Sequence, residues 1–142
     1  MLTPNFTLLE LLRSDSTDRT ASNFKCITSR EVLNLEVLCN NILEPARKRF
    51  NVPFYVNSGY RSPYSNKQVG GVANSLHTKG CAVDFTVSDK AMLYDIFNYI
   101  KDNHTFDELI LYKDRNYKPR FIHVAYVALS TEHRMMSKTV IR

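Results

Sequence analysis

The chain has 142 residues, 44% of them hydrophobic and 23% charged, which is enough for one domain around a single core. No apolar run approaches the roughly 20 residues of a membrane span, and the opening MLTPNFTLLELLRSDSTD lacks the basic start and unbroken apolar stretch of a secretory signal, so synthesis in the cytoplasm without membrane insertion is expected. The net charge of +5 suits an acidic partner, but neither zinc-finger spacing nor a basic helix with interleaved aromatics accompanies it, so nucleic acid is not an expected ligand. The surplus lies largely in Lys113–Arg120 and the last ten residues and reads as a solvated face. Cys26, Cys39 and Cys81 are far apart and form no CxxC pair; they read as small buried apolar residues rather than a disulfide framework or a thiolate site.

Thr7 and Glu10 have the spacing of a capping box and open a short helix, LLELLR. The polar stretch from Ser14 to Asn23 reads as a loop. Thr28 and Glu31 suggest a second capping box before the longest helical pattern, in which Val32, Leu35, Leu38, Cys39, Ile42, Leu43 and Ala46 recur at helical spacing. Pro45 predicts a kink or restart there. Val52–Asn57 reads as a strand. Ser62-Pro63 starts a helix that ends at Gly70-Gly71. Cys81–Thr86 alternates as a strand, and Ser88 is expected to cap a helix from Asp89 to about Lys101. Phe106–Tyr112 and Arg120–Val127 read as strands joined in an antiparallel hairpin by Lys113–Pro119. After Ala128 the chain is polar and basic, a tail. The expected class is α+β: a single domain over 1–142, with helices over 1–50, a core over 51–127, a tail over 128–142, and a small, mainly antiparallel sheet.

Three side chains stand out. Strand alternation puts Asp84 on one face with Ala82 and Thr86, and His123 on one face with Phe121, Ala125 and Val127. His77 lies just before the first of these strands, and Gly80 allows a sharp turn back towards Asp84. A carboxylate in the middle of an apolar strand is costly to bury alone. One bound cation would account for both Asp84 and His123. Two imidazoles and one carboxylate, with a coordination position left open, favour zinc over a hard cation such as calcium. His104 and His133 have no evident partners and read as core histidines.

The run SGYRSPYSNKQVGGVANSLHTKGCAVDF, followed by FIHV, resembles the zinc D-alanyl-D-alanine carboxypeptidases and related peptidoglycan peptidases. Ser75, His77, Gly80, Ala82 and Asp84 fit the pattern SxHxxGxAxD downstream of an SGYRS. FTLLELLRS and FDELILY look like members found in phages and prophages, and the similarity spans about residues 5 to 127. The resemblance implies the DD-peptidase and hedgehog type of fold, one zinc ion held by His77, Asp84 and His123, and metal-assisted amide hydrolysis on cell-wall peptides; separately from it, a monomer is expected. It implies that Arg61 sits beside the metal to bind a substrate carboxylate or steady negative charge, and that Ser75 bonds the substrate or the ligand loop. Several relatives carry a carboxylate base three residues before the last zinc histidine, where this chain has Arg120. Glu108 is the expected substitute, with Asp107 and Asp114 as alternatives. The expected bond is D-alanyl-D-alanine or one cut by an endolysin-type endopeptidase, and the site of action is the wall after release, or a virion. The rival expectation is a non-catalytic wall-binding or virion structural module that keeps the fold and the metal.

Overall fold

The computed structural model describes all 142 residues. The helices are α1 (Leu8–Leu12), α2 (Thr17–Cys26), α3 (Ser29–Leu38), α4 (Glu44–Phe50), α5 (Pro63–Gln68) and α6 (Met92–Asn103). The strands are β1 (Tyr55–Ser58), β2 (Ala82–Thr86), β3 (Glu108–Lys113), β4 (Pro119–Ala125) and β5 (Met136–Ile141). The five strands form one sheet in the order β1-β2-β4-β3-β5. None of the helices is long and apolar enough to cross a membrane.

One sheet face is apolar and one carries the polar residues. Val83, Phe85, Leu109, Leu111, Ile122 and Val124 point inward with the buried side of α6 (Leu93, Ile96, Phe97, Ile100) and the apolar residues of α1, α3 and α4. Phe54 stacks on Phe85 at 4.6 Å between ring centroids. Their alternate neighbours Asp84, Glu108, Ile110, Tyr112 and His123 take the opposite face, because side chains alternate along a strand. The α1 capping box is formed in both directions. Ser62 caps α5 with Pro63 in its first turn, as the sequence predicts. Pro45 is accommodated by a π-turn, Cys39–Leu43, just before α4. The wider turn relieves the loss of a hydrogen-bond donor and the ring clash that proline brings to a helix.

Several expectations are corrected. Ser14–Asn23 is not a loop: Ser16 caps α2 by accepting from the Arg19 amide. Asn23 is buried, donating to the Leu12 carbonyl at 2.8 Å and accepting from the Ser62 amide at 2.8 Å. A polar helix with this one-sided anchor has no apolar periodicity to reveal it. Thr28 is an N-cap, but its hydroxyl donates to the Glu31 carboxylate instead of completing a box. Ser88 is not the cap of α6, which starts at Met92 after a turn in which Asp89 accepts from the Ala91 amide. Cys26 is exposed, while Cys39 and Cys81 are buried; burial, reinforced by nearby carboxylates, pushes the Cys39 thiol up to about 12.

The largest correction concerns the segment after Ala128. It is not a tail but returns as β5, parallel to β3 along its whole length, so the sheet is mixed rather than mainly antiparallel. The chain leaves β4 at Ala125, crosses the start of β3 and enters the sheet on its far side. Asp107 clasps this crossing. Its Oδ2 accepts from the Val127 amide at 2.7 Å and from His133 Nδ1 at 2.9 Å, and its Oδ1 accepts from the Arg134 amide at 3.2 Å. The Met135 amide donates to the Phe106 carbonyl at 2.9 Å. His133 therefore has a partner, and it stacks on Tyr126 at 4.5 Å. His104 packs against Tyr99, and its buried Nε2 has no hydrogen-bond partner.

The clasp should set the acid stability of β5. Burial pushes the Asp107 carboxyl up, and the bonds from His133, Val127 and Arg134 outweigh that and hold it below the ordinary 3.8. A depressed folded-state value stabilises above 3.8 and is lost as pH falls through the folded value. Hydrogen exchange of the β5 amides should therefore accelerate selectively below pH 3.8. Asp107→Ala, which leaves buried donors unmatched, should lower stability by about 2 kcal/mol in denaturant unfolding, and an unchanged midpoint would count against the clasp.

Candidate metal centre

Register brings the polar residues together. Asp84 on β2 is directly opposite His123 on β4, and His123 is directly opposite Ile110 on β3, so Glu108 lies one alternation further along the same face. His77 comes from a short 3-10 turn, Leu76–Lys79, that ends at Gly80. Gly80 has φ +69, and a Cβ there would come within 2.5 Å of the Glu31 carbonyl oxygen. Only glycine fits both conditions, and the tight turn they allow delivers His77 to the start of β2.

His77, Asp84 and His123 each offer one donor atom, all within 4.8 Å of one another. His77 Nε2 is 3.3 Å from Asp84 Oδ1, and His123 Nδ1 is 2.8 Å from the same oxygen. The outer nitrogens are fixed by other groups. His77 Nδ1 is 2.7 Å from the Gly59 carbonyl; since a carbonyl only accepts, Nδ1 carries the proton and the Nε2 lone pair faces the centre. His123 Nε2 is 2.8 Å from Glu108 Oε1, whose partner oxygen accepts from Arg134 at 3.2 Å. Gly59 is itself closely seated, since a Cβ there would lie 2.3 Å from the Leu11 carbonyl oxygen.

The electrostatics follow from burial and pairing. Burial works against ionising Asp84, but the His77 and His123 rings beside it outweigh that and hold its carboxyl far below the usual range. Burial likewise disfavours charge on His123, but hydrogen bonds to Asp84 and Glu108 win and raise it to about 9. The His123 hydrogen bond lowers Glu108, with Arg134 assisting. The fit to zinc rests on this donor set. A buried carboxylate faces two imidazole nitrogens whose outer partners fix their orientation, and a divalent cation can take over the role of the Nδ1 proton. Three donors of this kind leave a coordination position open.

The other expected residues fall into place unevenly. Arg61 is beside the centre, its guanidinium 3.8 Å from Asp84 Oδ2. It is held by Nε to Ser58 Oγ at 3.1 Å and by a second nitrogen to Asn66 Oδ1 at 3.3 Å. Burial lowers its pKa, with Asp84 opposing. Ser75 caps the ligand turn, accepting from the His77 amide at 3.3 Å. Arg120 is an exposed bulge residue, its guanidinium against Phe121 rather than in the cleft. Asp107 faces the β5 crossing. Asp114 accepts from the Asn116 and Lys118 amides and shapes the hairpin. Of the three carboxylates considered as bases, only Glu108 is brought to the ligands.

The centre opens into a cleft of about 640 Å³ that Tyr112, Arg134 and Arg142 also line. The sequence reading missed these three. Tyr112 shares strand parity with Glu108 and was recoverable from alternation; the arginines were not, because nothing marked their segment as a strand. The Gly59 carbonyl was missed too, since a backbone acceptor leaves no mark on residue type.

Comparison with known proteins adds one match. The protein family described as Peptidase M15 matches residues 4–125. No curated protein matches the chain.

The purified protein should bind one zinc ion per chain. Uptake must displace the His123 Nδ1 proton, so apparent affinity should climb with pH towards about 9. His123→Ala should weaken zinc binding by more than the roughly 10–100-fold typical of losing an outer partner, measured by competition with a chromogenic chelator. Unaltered affinity would remove residue 123 from the site.

Proposed function

The chain belongs to the peptidase M15 family, and from that premise we propose that it is a zinc-dependent peptidase that hydrolyses the peptides of bacterial cell-wall peptidoglycan. The observation that carries the reading is the convergence of His77, Asp84 and His123 on one point at the floor of a cleft, with Arg61 beside them. Zinc held by these donors would supply Lewis acidity towards a carbonyl oxygen and make water more acidic.

The chain's own residues supply the rest. Asp84 places its carboxylate against both imidazoles. Ser75 and Gly59 keep the His77 ring turned inward. Arg61 is tied down at two of its nitrogens, so its fixed charge can receive the negative charge that develops on the scissile carbonyl oxygen. Glu108 is ionised and accepts only. It keeps the proton of His123 on Nε2, and it is the carboxylate nearest the reacting region that is not itself a ligand. We assign it the proton taken from the attacking water, which it passes to the departing amine.

Two experiments test this. Glu108→Gln preserves an acceptor for Nε2 but removes the base, so it should keep zinc while kcat falls by about 10²–10³. Glu108→Ala should also loosen the metal roughly 10–100-fold. Full turnover in Glu108→Gln would leave Glu108 an orienting role only. Purified peptidoglycan should release new amino groups with the protein and none after chelation. Mass spectrometry of the products assigns the bond as D-alanyl-D-alanine or an endopeptidase target. Wall binding without turnover in the zinc-loaded protein would instead establish the non-catalytic module.

A further inference from the structure

Composition alone leaves Lys113–Arg120 a solvated face; the structure gives it a fixed shape at the tip of the β3–β4 hairpin. The segment holds four cations, Lys113, Arg115, Lys118 and Arg120, and one acid, Asp114. None of the four cations takes part in an ion pair. Asp114 is engaged by the loop's own backbone, its Oδ1 accepting from the Asn116 amide at 2.8 Å and the Lys118 amide at 3.0 Å.

Further bonds hold the tip in place. The Asp114 amide donates to the Lys118 carbonyl at 2.8 Å, and the Tyr117 amide to the Asp114 carbonyl at 3.0 Å. The Tyr94 hydroxyl of α6 donates to the Tyr117 carbonyl at 3.3 Å, and the Lys113 ammonium lies over the Tyr94 ring at 4.9 Å. One residue here breaks a backbone rule. Tyr117 has φ +62, a left-handed conformation that a bulky side chain adopts only at a cost. Its ring is 66% exposed, so no burial offsets the strain. Strain kept without a packing gain points to something the ring meets outside the fold.

The tip thus presents one bare aromatic ring among four unpaired cations. The ring suits the apolar face of a sugar or polyol unit, and the cations suit phosphates spaced along a chain. Nucleic acid fits less well, because successive bases need a row of stacking rings and the tip exposes one. Tyr112, just before the tip, lines the metal cleft, so a chain held here passes beside that cleft.

We propose that the β3–β4 tip is a docking surface for a polyanionic cell-wall polymer, a phosphodiester-linked chain of polyols or sugars, which keeps the cleft against the wall. The choice of the wall rests on the peptidase reading; the surface itself needs no catalysis.

The test is binding to the full-length protein at low salt. Labelled poly(glycerol phosphate), neutral dextran and single-stranded oligothymidylate serve as probes. Poly(glycerol phosphate) should bind, dextran should not, and the affinity should fall as salt rises. Arg115→Gln with Lys118→Gln spares the backbone bonds of the tip and should weaken binding roughly tenfold, the scale of two exposed charge contacts. Lys25→Gln with Lys101→Gln makes the same change in net charge at exposed helix positions elsewhere and should stay within about twofold. Tyr117→Gly should weaken binding while its unfolding midpoint holds or rises, because glycine relieves the left-handed backbone. Equal loss in both charge pairs, no loss in the tip pair, or tighter binding of oligothymidylate than of poly(glycerol phosphate) overturns the surface. Polymer binding without wall hydrolysis would reject the peptidase and keep the surface; hydrolysis without polymer binding would do the reverse.

Discussion

The arrangement depends on one buried carboxylate. Asp84 sits in the middle of a central strand, a place where an unpaired negative charge costs several kcal/mol. Three groups around it answer that charge: two imidazoles at 3.3 and 2.8 Å and a guanidinium at 3.8 Å. The groups that answer Asp84 are in turn held by others. Gly59 holds His77, Glu108 holds His123, and Ser58 with Asn66 holds Arg61. The centre is thus an anion wrapped by cationic or proton-bearing groups, and an outer ring of acceptors fixes which way each of them points. Such an outer ring governs metal affinity nearly as strongly as the ligands themselves.

Sheet register turns this from a list of residues into a site. Asp84 and His123 meet because they are direct cross-strand partners, and a slip of one residue would send either to the apolar face. The register is secured from behind. Phe85 and Ile122, next to the two ligands and directly opposite each other, are both fully buried in the core. Core packing and ligand placement are therefore two faces of one constraint. His77 is outside the sheet and needs another device, the turn closed by Gly80 with its left-handed backbone and its close contact with Glu31 of α3.

Legibility of the sequence follows the same division. The three candidate ligands could be read because each breaks a local rule: a carboxylate and a histidine inside apolar strands, and a histidine before a glycine turn. The α1 capping box and the Ser62-Pro63 start were legible because capping chemistry is local. What escaped was non-local. Asn23 anchors α2 through bonds to Leu12 and Ser62, and neither partner can be inferred from a polar stretch. β5 is an edge strand of mixed polar composition, placed by a parallel pairing and by Asp107, and its residues have no alternation that would announce it. Glu108 was intermediate: strand parity put it on the right face, but its hydrogen bond to His123 is a matter of register.

The missed strand alters the electrostatic character of the cleft. Around the candidate metal site each carboxylate has cationic or proton-bearing partners: Asp84 has His77, His123 and Arg61, and Glu108 has His123 and Arg134. Arg142, next after β5, also lines the cleft. The candidate metal site is thus assembled by two central strands and the Leu76–Lys79 turn, while part of the wall of its cleft comes from the segment after Ala128, which packs at the sheet edge.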